Sequence, residues 1–290
     1  MRSIWVAITA FRPMGRLSVL LDTVSQYTSF PFKVTVCVYI DYDSQGDLEF
    51  LERSLGLFKN LDVQVKVASP GYEGWYLTWA HKTDLALEIL NRRHDFYIYQ
   101  ENDMTLTLDN FNYWLAWNPR LSDLGFEPGF VRYEEYNGLK VPFDNHYEYS
   151  LIGKTPNVWS DVGFTVPKIL VVDHEVSVFV QAANPYYGAM ILNQADGEKY
   201  IRSDSYDPQK SYERIGIRNW PIADRSSMGL AFEGVPNGCE HRRCVPLVKK
   251  DGKYTLKPSS LIKHNDYKYA PELNRKGVKV MDYTDMFVLR

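Results

Sequence analysis

Short apolar runs and amphipathic stretches alternate through the first hundred residues. Ile4 to Ala10 (IWVAITA), Phe32 to Ile40 (FKVTVCVYI) and Phe96 to Tyr99 (FYIY) are rich in apolar, β-branched and aromatic residues. Runs of this length and composition predict buried strands. Val63 to Val67 predicts a shorter one. Leu17 to Tyr27, Asp47 to Leu57 and Thr78 to Arg92 predict helices between them. In the last of these Leu85, Ala86, Ile89 and Leu90 form an apolar stripe at helical spacing. An aromatic-rich helix follows over about Leu108 to Trp117. Strand-helix alternation places the chain in the α/β class, with a mainly parallel central sheet and helices on both faces.

Beyond about residue 125 the pattern loses its regularity and predicts an irregular, mixed half. Phe130 to Tyr133, Lys168 to Val172 and Glu175 to Gln181 predict strands, separated by polar loops containing Pro142 and Pro156. Asn219-Trp220-Pro221 predicts the start of a helix running to about Phe232, with Asn219 as cap and proline in the first turn. The chain shows no internal repeat, low-complexity tract or linker, so one continuous domain over 1–290 is expected. Its halves would be about 1–125 and about 126–290.

Composition narrows the function. With 45% hydrophobic residues the chain can bury a substantial core, and its formal net charge of -3 gives no electrostatic case for nucleic acid. The 21 Tyr and 7 Trp offer stacking surfaces for sugars as well as core side chains. Cys239 and Cys244 flank Glu-His-Arg-Arg, but with His241 they do not complete a familiar four-ligand zinc pattern. Cys37 falls inside a predicted strand. The amino-terminal apolar run is too short for a transmembrane helix. A soluble, cytoplasmic protein with no transmembrane segment is expected.

The chemistry is densest at the predicted strand ends. The FYIY run gives way to Glu101-Asn102-Asp103, which sets two carboxylates two residues apart. In an extended exit the strand period would put both on one side of the chain. Such oxygen ligands suit Mg²⁺ or Mn²⁺, which take one or two protein carboxylates and leave other positions to diphosphate and water. Thr9 to Arg12 follow the first strand, and Asp41 and Asp43 the second. Open α/β sheets bind ligands beyond the carboxyl ends of their strands, so these residues would converge on one nucleotide-type cleft.

YIYQENDM (Tyr97 to Met104) resembles the metal-binding segment of nucleotide-sugar-dependent glycosyltransferases with the GT-A fold. LTWAHK (Leu77 to Lys82) is similar to the helix start at which such enzymes place a basic residue near the donor diphosphate. NPYYGAMILN (Asn184 to Asn193) resembles the small-residue turn and strand bordering donor sugar and acceptor. LIKHNDYKY (Leu261 to Tyr269) resembles the late segment in which some members supply a histidine to the metal.

The resemblance implies a nucleoside-diphosphate-sugar donor bound in the first half and a glycan or glycoconjugate acceptor in the second. Asp41 and Asp43 would lie near base or ribose, and Lys82 and Arg12 would neutralise phosphate charge. Glu101 and Asp103, with His264 as a further ligand, would hold Mn²⁺ or Mg²⁺. His81 reads as a structural or first-turn residue. An inverting enzyme also needs a carboxylate base for the acceptor hydroxyl. Asp224 in NWPIADRSSMGLAF is the first choice, with Glu233 and Glu213 as reserves. A bacterial or viral setting would fit the class. Two alternatives are a non-catalytic carbohydrate-binding protein and a nucleotidyltransferase. For the latter, AFRPMGR is a poor match to the expected glycine-rich basic segment.

Overall fold

All residues of the first strand after Ser3 are buried, and every one but Thr9 is apolar, as a strand enclosed on both faces requires. This strand, β1 (Ser3–Ala10), runs parallel to β2 (Lys33–Ile40) on one side and to β4 (Phe96–Glu101) on the other. β3 (Asp62–Val67) pairs parallel with β2 and forms one edge. The other edge is the strand Ala189–Asn193, antiparallel to β4. The computed structural model describes residues 2–41, 44–144, 178–182, 184–214, 220–250, 253–277 and 280–285. It divides into two units, Met1–Leu108 with Gly188–Glu233 and Asp109–Tyr187 with Gly234–Arg290.

In the first unit, alternate side chains send Trp5, Ala7, Cys37, Tyr39, Tyr97 and Tyr99 to one face of the sheet. There they meet Leu85 and Ile89 of α3 (Lys82–Leu90) and Tyr200 of the helix Gln194–Tyr200. The two helices approach so closely that a Cβ on Gly197 would stand 3.0 Å from an Ile89 methyl. The opposite face carries Gln100, whose side chain accepts a 2.7 Å hydrogen bond from Tyr27, just beyond α1 (Leu17–Ser25). α2 (Gln45–Leu55) connects β2 to β3, its first turn capped by Ser44. This is the expected mainly parallel sheet with helices on both faces, consistent with a GT-A-like fold.

In the second unit, the strand Arg243–Lys250 pairs parallel with Glu127–Pro128 and antiparallel with Val178–Gln181 and Lys253–Leu256. Leu261–His264 runs parallel to Val131–Tyr136, which pairs antiparallel with Leu139–Pro142. Val131, Val180, Val245, Leu247, Leu256 and Leu261 supply its core. The mixed pairing accounts for the irregular sequence pattern. Among the described residues no helix is long and apolar enough to cross a membrane.

Two predicted helices differ from the structure. The segment from Thr78 splits into a 3-10 helix, Gly74–Trp79, and then α3. The helix expected from Asn219 to Phe232 is only Ile222–Arg225. Ser226 and Ser227 turn their hydroxyls back onto the Ala223 and Asp224 carbonyls at 2.7 and 2.9 Å. Such local bonds compete with the helical ladder, and Gly229 at φ 57 takes the chain out of it. Asn219, the predicted strand Lys168 to Val172 and the start of the one at Glu175 lie outside the described residues.

Candidate functional site

Parallel pairing brings the carboxyl ends of β1, β2 and β4 level. Thr9 lies opposite Tyr39 on one side and Glu101 on the other. The chain leaving β1 adopts a left-handed conformation at Arg12, φ 47 and ψ 60, before the 3-10 helix Pro13–Arg16. The Arg12 backbone N–H donates to Asp41 Oδ1 at 2.7 Å, which ties the exit of β1 to that of β2. Asp43 lies outside the described residues.

The exit of β4 is a turn rather than the extended segment expected from the strand period. Glu101 N–H donates to Gly188 O at 2.9 Å, and Asn102 N–H donates to Thr9 O at 3.1 Å. The Thr23 hydroxyl holds the Asn102 carbonyl at 2.8 Å. Asn102 and Asp103 therefore form a pinned corner, and the relation of Glu101 to Asp103 is set by that corner. Gly188 sits at φ 63, a conformation glycine adopts without strain, which explains the small residue in NPYYGAM. Arg16, which sequence reasoning did not single out, reaches Asp103 at 3.5 Å. Its signal was present in the paired arginines of AFRPMGR.

Lys82 opens α3 with its ammonium inside the unit, only 5% exposed. Nζ donates to Tyr200 Oη at 2.5 Å and to Ser226 O at 2.7 Å. The rings of Tyr200, Trp79 and Tyr99 surround it at 4.7, 5.1 and 5.8 Å. Burial holds its pKa well below the ordinary lysine value. His81, fully buried, stacks on Tyr99 at 4.1 Å. Burial and the adjacent Lys82 hold His81 well below 6.5 against a smaller pull from the Thr78 backbone. Among the described residues neither of its ring nitrogens has a partner in hydrogen-bond geometry.

Asp224 lies within the short helix Ile222–Arg225. Trp79 Nε1–H donates to Ile222 O at 2.8 Å, so the 3-10 helix Gly74–Trp79 holds that helix from its first residue. Glu233 accepts from the Ser205 hydroxyl at 2.6 Å and pairs with Arg214 at 3.3 Å. Glu213 is exposed on the short helix Lys210–Arg214.

His264 belongs to the second unit, where its Nδ1 meets Glu134 Oε1 at 2.8 Å. Glu134 is fully buried and also accepts the Lys268 and Ala270 N–H groups at 3.1 and 2.8 Å. Burial disfavours its ionised form, but the bonds from His264 and the backbone outweigh this and lower its pKa. A carboxylate behind a histidine fixes the ring's orientation. His241 has Nε2 against Ala182 O at 2.7 Å and accepts the Arg243 N–H on Nδ1 at 3.1 Å. Backbone thus engages both of its ring nitrogens.

No protein-family model matches the chain. No curated protein matches it either. Among solved structures, S. aureus TarS is similar over 69% of this chain and 30% of its own, at 11% identity and a TM-score of 0.37. S. aureus TarS 1-349 is similar over 69% of this chain and 49% of its own, at 10% identity and a TM-score of 0.34. S. aureus TarS 1-349 in complex with UDP is similar over 49% of this chain and 38% of its own, at 12% identity and a TM-score of 0.30. The chain thus spans from 30% to 49% of the length of these proteins.

Proposed function

We propose that the protein is a metal-dependent glycosyltransferase that moves a sugar from a nucleoside diphosphate to a hydroxyl of a glycan or glycoconjugate. The observation that carries this reading is the level alignment of three parallel strand ends, with Thr9 opposite both Tyr39 and Glu101. It brings Arg12, Asp41 and the Glu101–Asp103 corner to the edge where open α/β sheets bind ligands. In this unit the corner offers carboxylate oxygens, a hard donor set suited to Mg²⁺ or Mn²⁺. Glu101 and Asp103 would hold that ion, and when bound it supplies positive charge against the departing diphosphate.

The remaining work falls to the chain's own groups. The Arg12 and Arg16 guanidiniums would add fixed positive charge beside the phosphates. Asp41, oriented by the Arg12 N–H, would accept hydrogen bonds from the nucleoside. Asp224 would take the proton of the attacking hydroxyl in an inverting transfer. Glu233, which already accepts from Ser205 and pairs with Arg214, is a weaker choice for that role.

A nucleotide-release assay tests the reading, using a panel of nucleotide sugars with Mn²⁺ and mixed glycan acceptors. The proposal requires release from one donor, lost with chelator and in Asp103→Ala. Glycan binding without release, unchanged by that substitution, would favour a non-catalytic carbohydrate-binding protein.

A further inference from the structure

The segment Gly74–Lys82 grips the helix that carries Asp224 at both ends. At its start, the Trp79 indole N–H holds the Ile222 carbonyl at 2.8 Å. At its end, Lys82 Nζ holds the Ser226 carbonyl at 2.7 Å. Asp224 lies between the two grips. The Ser226 hydroxyl approaches Tyr99 Oη at 3.4 Å, and the same phenol meets Thr9 Oγ1 at 3.1 Å. A buried polar chain thus runs from the end of β1 through β4 to the Asp224 turn. The Tyr206 hydroxyl donates to the Lys82 carbonyl at 2.7 Å and holds the start of α3 from the other side.

The energetics favour a fixed lysine. Its amine is enclosed by the aromatic faces of Tyr200, Trp79 and Tyr99, which attract a desolvated cation. Withdrawing it would take the donor away from the Ser226 carbonyl, a buried acceptor that is costly to leave unsatisfied. An ammonium meant for a diphosphate would need a path to solvent, whereas Lys82 is 5% exposed and its ammonium is bonded to Tyr200 and Ser226.

The geometry points to Lys82 as a positioning residue that, with Trp79, fixes the Asp224 turn against β4, rather than as a phosphate ligand. This inference rests on the transferase reading for its catalytic consequence, but not for the clamp itself. A neutral amine could keep both bonds, since it still donates to Ser226 and can accept from Tyr200. The clamp therefore does not require a charged lysine.

The test compares full-length wild type, Lys82→Met and Trp79→Phe. Hydrogen exchange over Ile222 to Met228 reads the clamp directly. Calorimetry with UDP, GDP, ADP and CDP in Mn²⁺ reads phosphate contact, and steady-state kinetics read transfer. The inference requires exchange faster by about tenfold in either variant, nucleotide affinity within about twofold, and kcat lowered about tenfold at unchanged donor KM. Unchanged exchange would overturn it. So would nucleotide affinity falling about tenfold in Lys82→Met alone, the mark of a phosphate ligand. If Lys82→Met does not fold, Trp79→Phe decides, because it removes the indole N–H donor while keeping an aromatic ring at the site. A wild type that neither binds nucleotide nor transfers sugar would defeat the transferase reading, while exchange would still decide the clamp.

Discussion

Arg12 and Asp41 join the exits of two parallel strands, the Arg12 backbone N–H reaching Asp41 Oδ1 at 2.7 Å. The carboxylate thereby shapes the turn after β1 as well as lining the strand ends. Asp41→Ala should cost about 1–2 kcal/mol of stability, typical for a lost hydrogen bond to a charged acceptor. It should also weaken nucleotide binding. Denaturant unfolding and calorimetry check both, and unchanged stability would show that the turn holds without this bond.

Arg12 pays for its place in backbone strain, since it sits at φ 47 where residues with a Cβ are disfavoured. Arg12→Gly should raise stability by about 0.5–1 kcal/mol while lowering donor affinity through loss of the guanidinium. Opposite movements of the melting temperature and of affinity would mark the side chain as functional. Unchanged affinity would confine Arg12 to the turn.

His81 gives the first unit an acid sensitivity. Its pKa is lowered in the fold, so the unfolded chain binds the proton more readily as pH falls below 6.5. Stability linked to His81 is therefore present above 6.5 and lost below it, by at most about 1.4 kcal/mol per pH unit. His81→Phe preserves the ring against Tyr99 and removes the titration. The variant should match wild type near pH 8 and exceed it at pH 5.5. Equal acid sensitivity in the two proteins would contradict this.

Glu134 acts in the second unit with the same direction of pH dependence but a different window. Its folded pKa lies below the ordinary 4.5, so its contribution is complete above 4.5 and is lost as pH falls through the lowered folded value. Glu134→Gln should cost about 1–3 kcal/mol at pH 7, because His264 and buried backbone N–H groups lose a charged acceptor. It should also flatten the stability loss below pH 4.5. A neutral substitution would mean that the amide replaces the carboxylate at all of these donors.

The strands β1, β2 and β4 were legible because a parallel strand buried on both faces reads as a continuous apolar run. The strand Ala189–Asn193 carries the same signature, but its antiparallel place beside β4 depends on a partner some ninety residues earlier, as in the pair Ala189 and Gln100. No local pattern encodes that pairing. The helix predicted from Asn219 to Phe232 ends early because the cap and proline that signal a helix start carry no information about its end, where the Ser226 and Ser227 hydroxyls close the turn. Lys82 at a helix start resembles a cation for the donor diphosphate, whereas its burial depends on Tyr200 and Ser226, both more than a hundred residues away in sequence. Glu134 was missed, although the alternation of VRYEEY sets it on the same strand face as buried Arg132.

In the proposed reaction the Glu101–Asp103 corner binds a nucleoside diphosphate through a divalent ion. Isothermal titration of UDP, GDP, ADP and CDP into wild type and Asp103→Ala, with and without Mn²⁺, tests it most directly. One nucleotide is expected to bind wild type only with Mn²⁺ and not to bind the folded variant, with calorimetric unfolding confirming that Asp103→Ala is folded. Binding that is indifferent to Mn²⁺, or fully retained in Asp103→Ala, would contradict it.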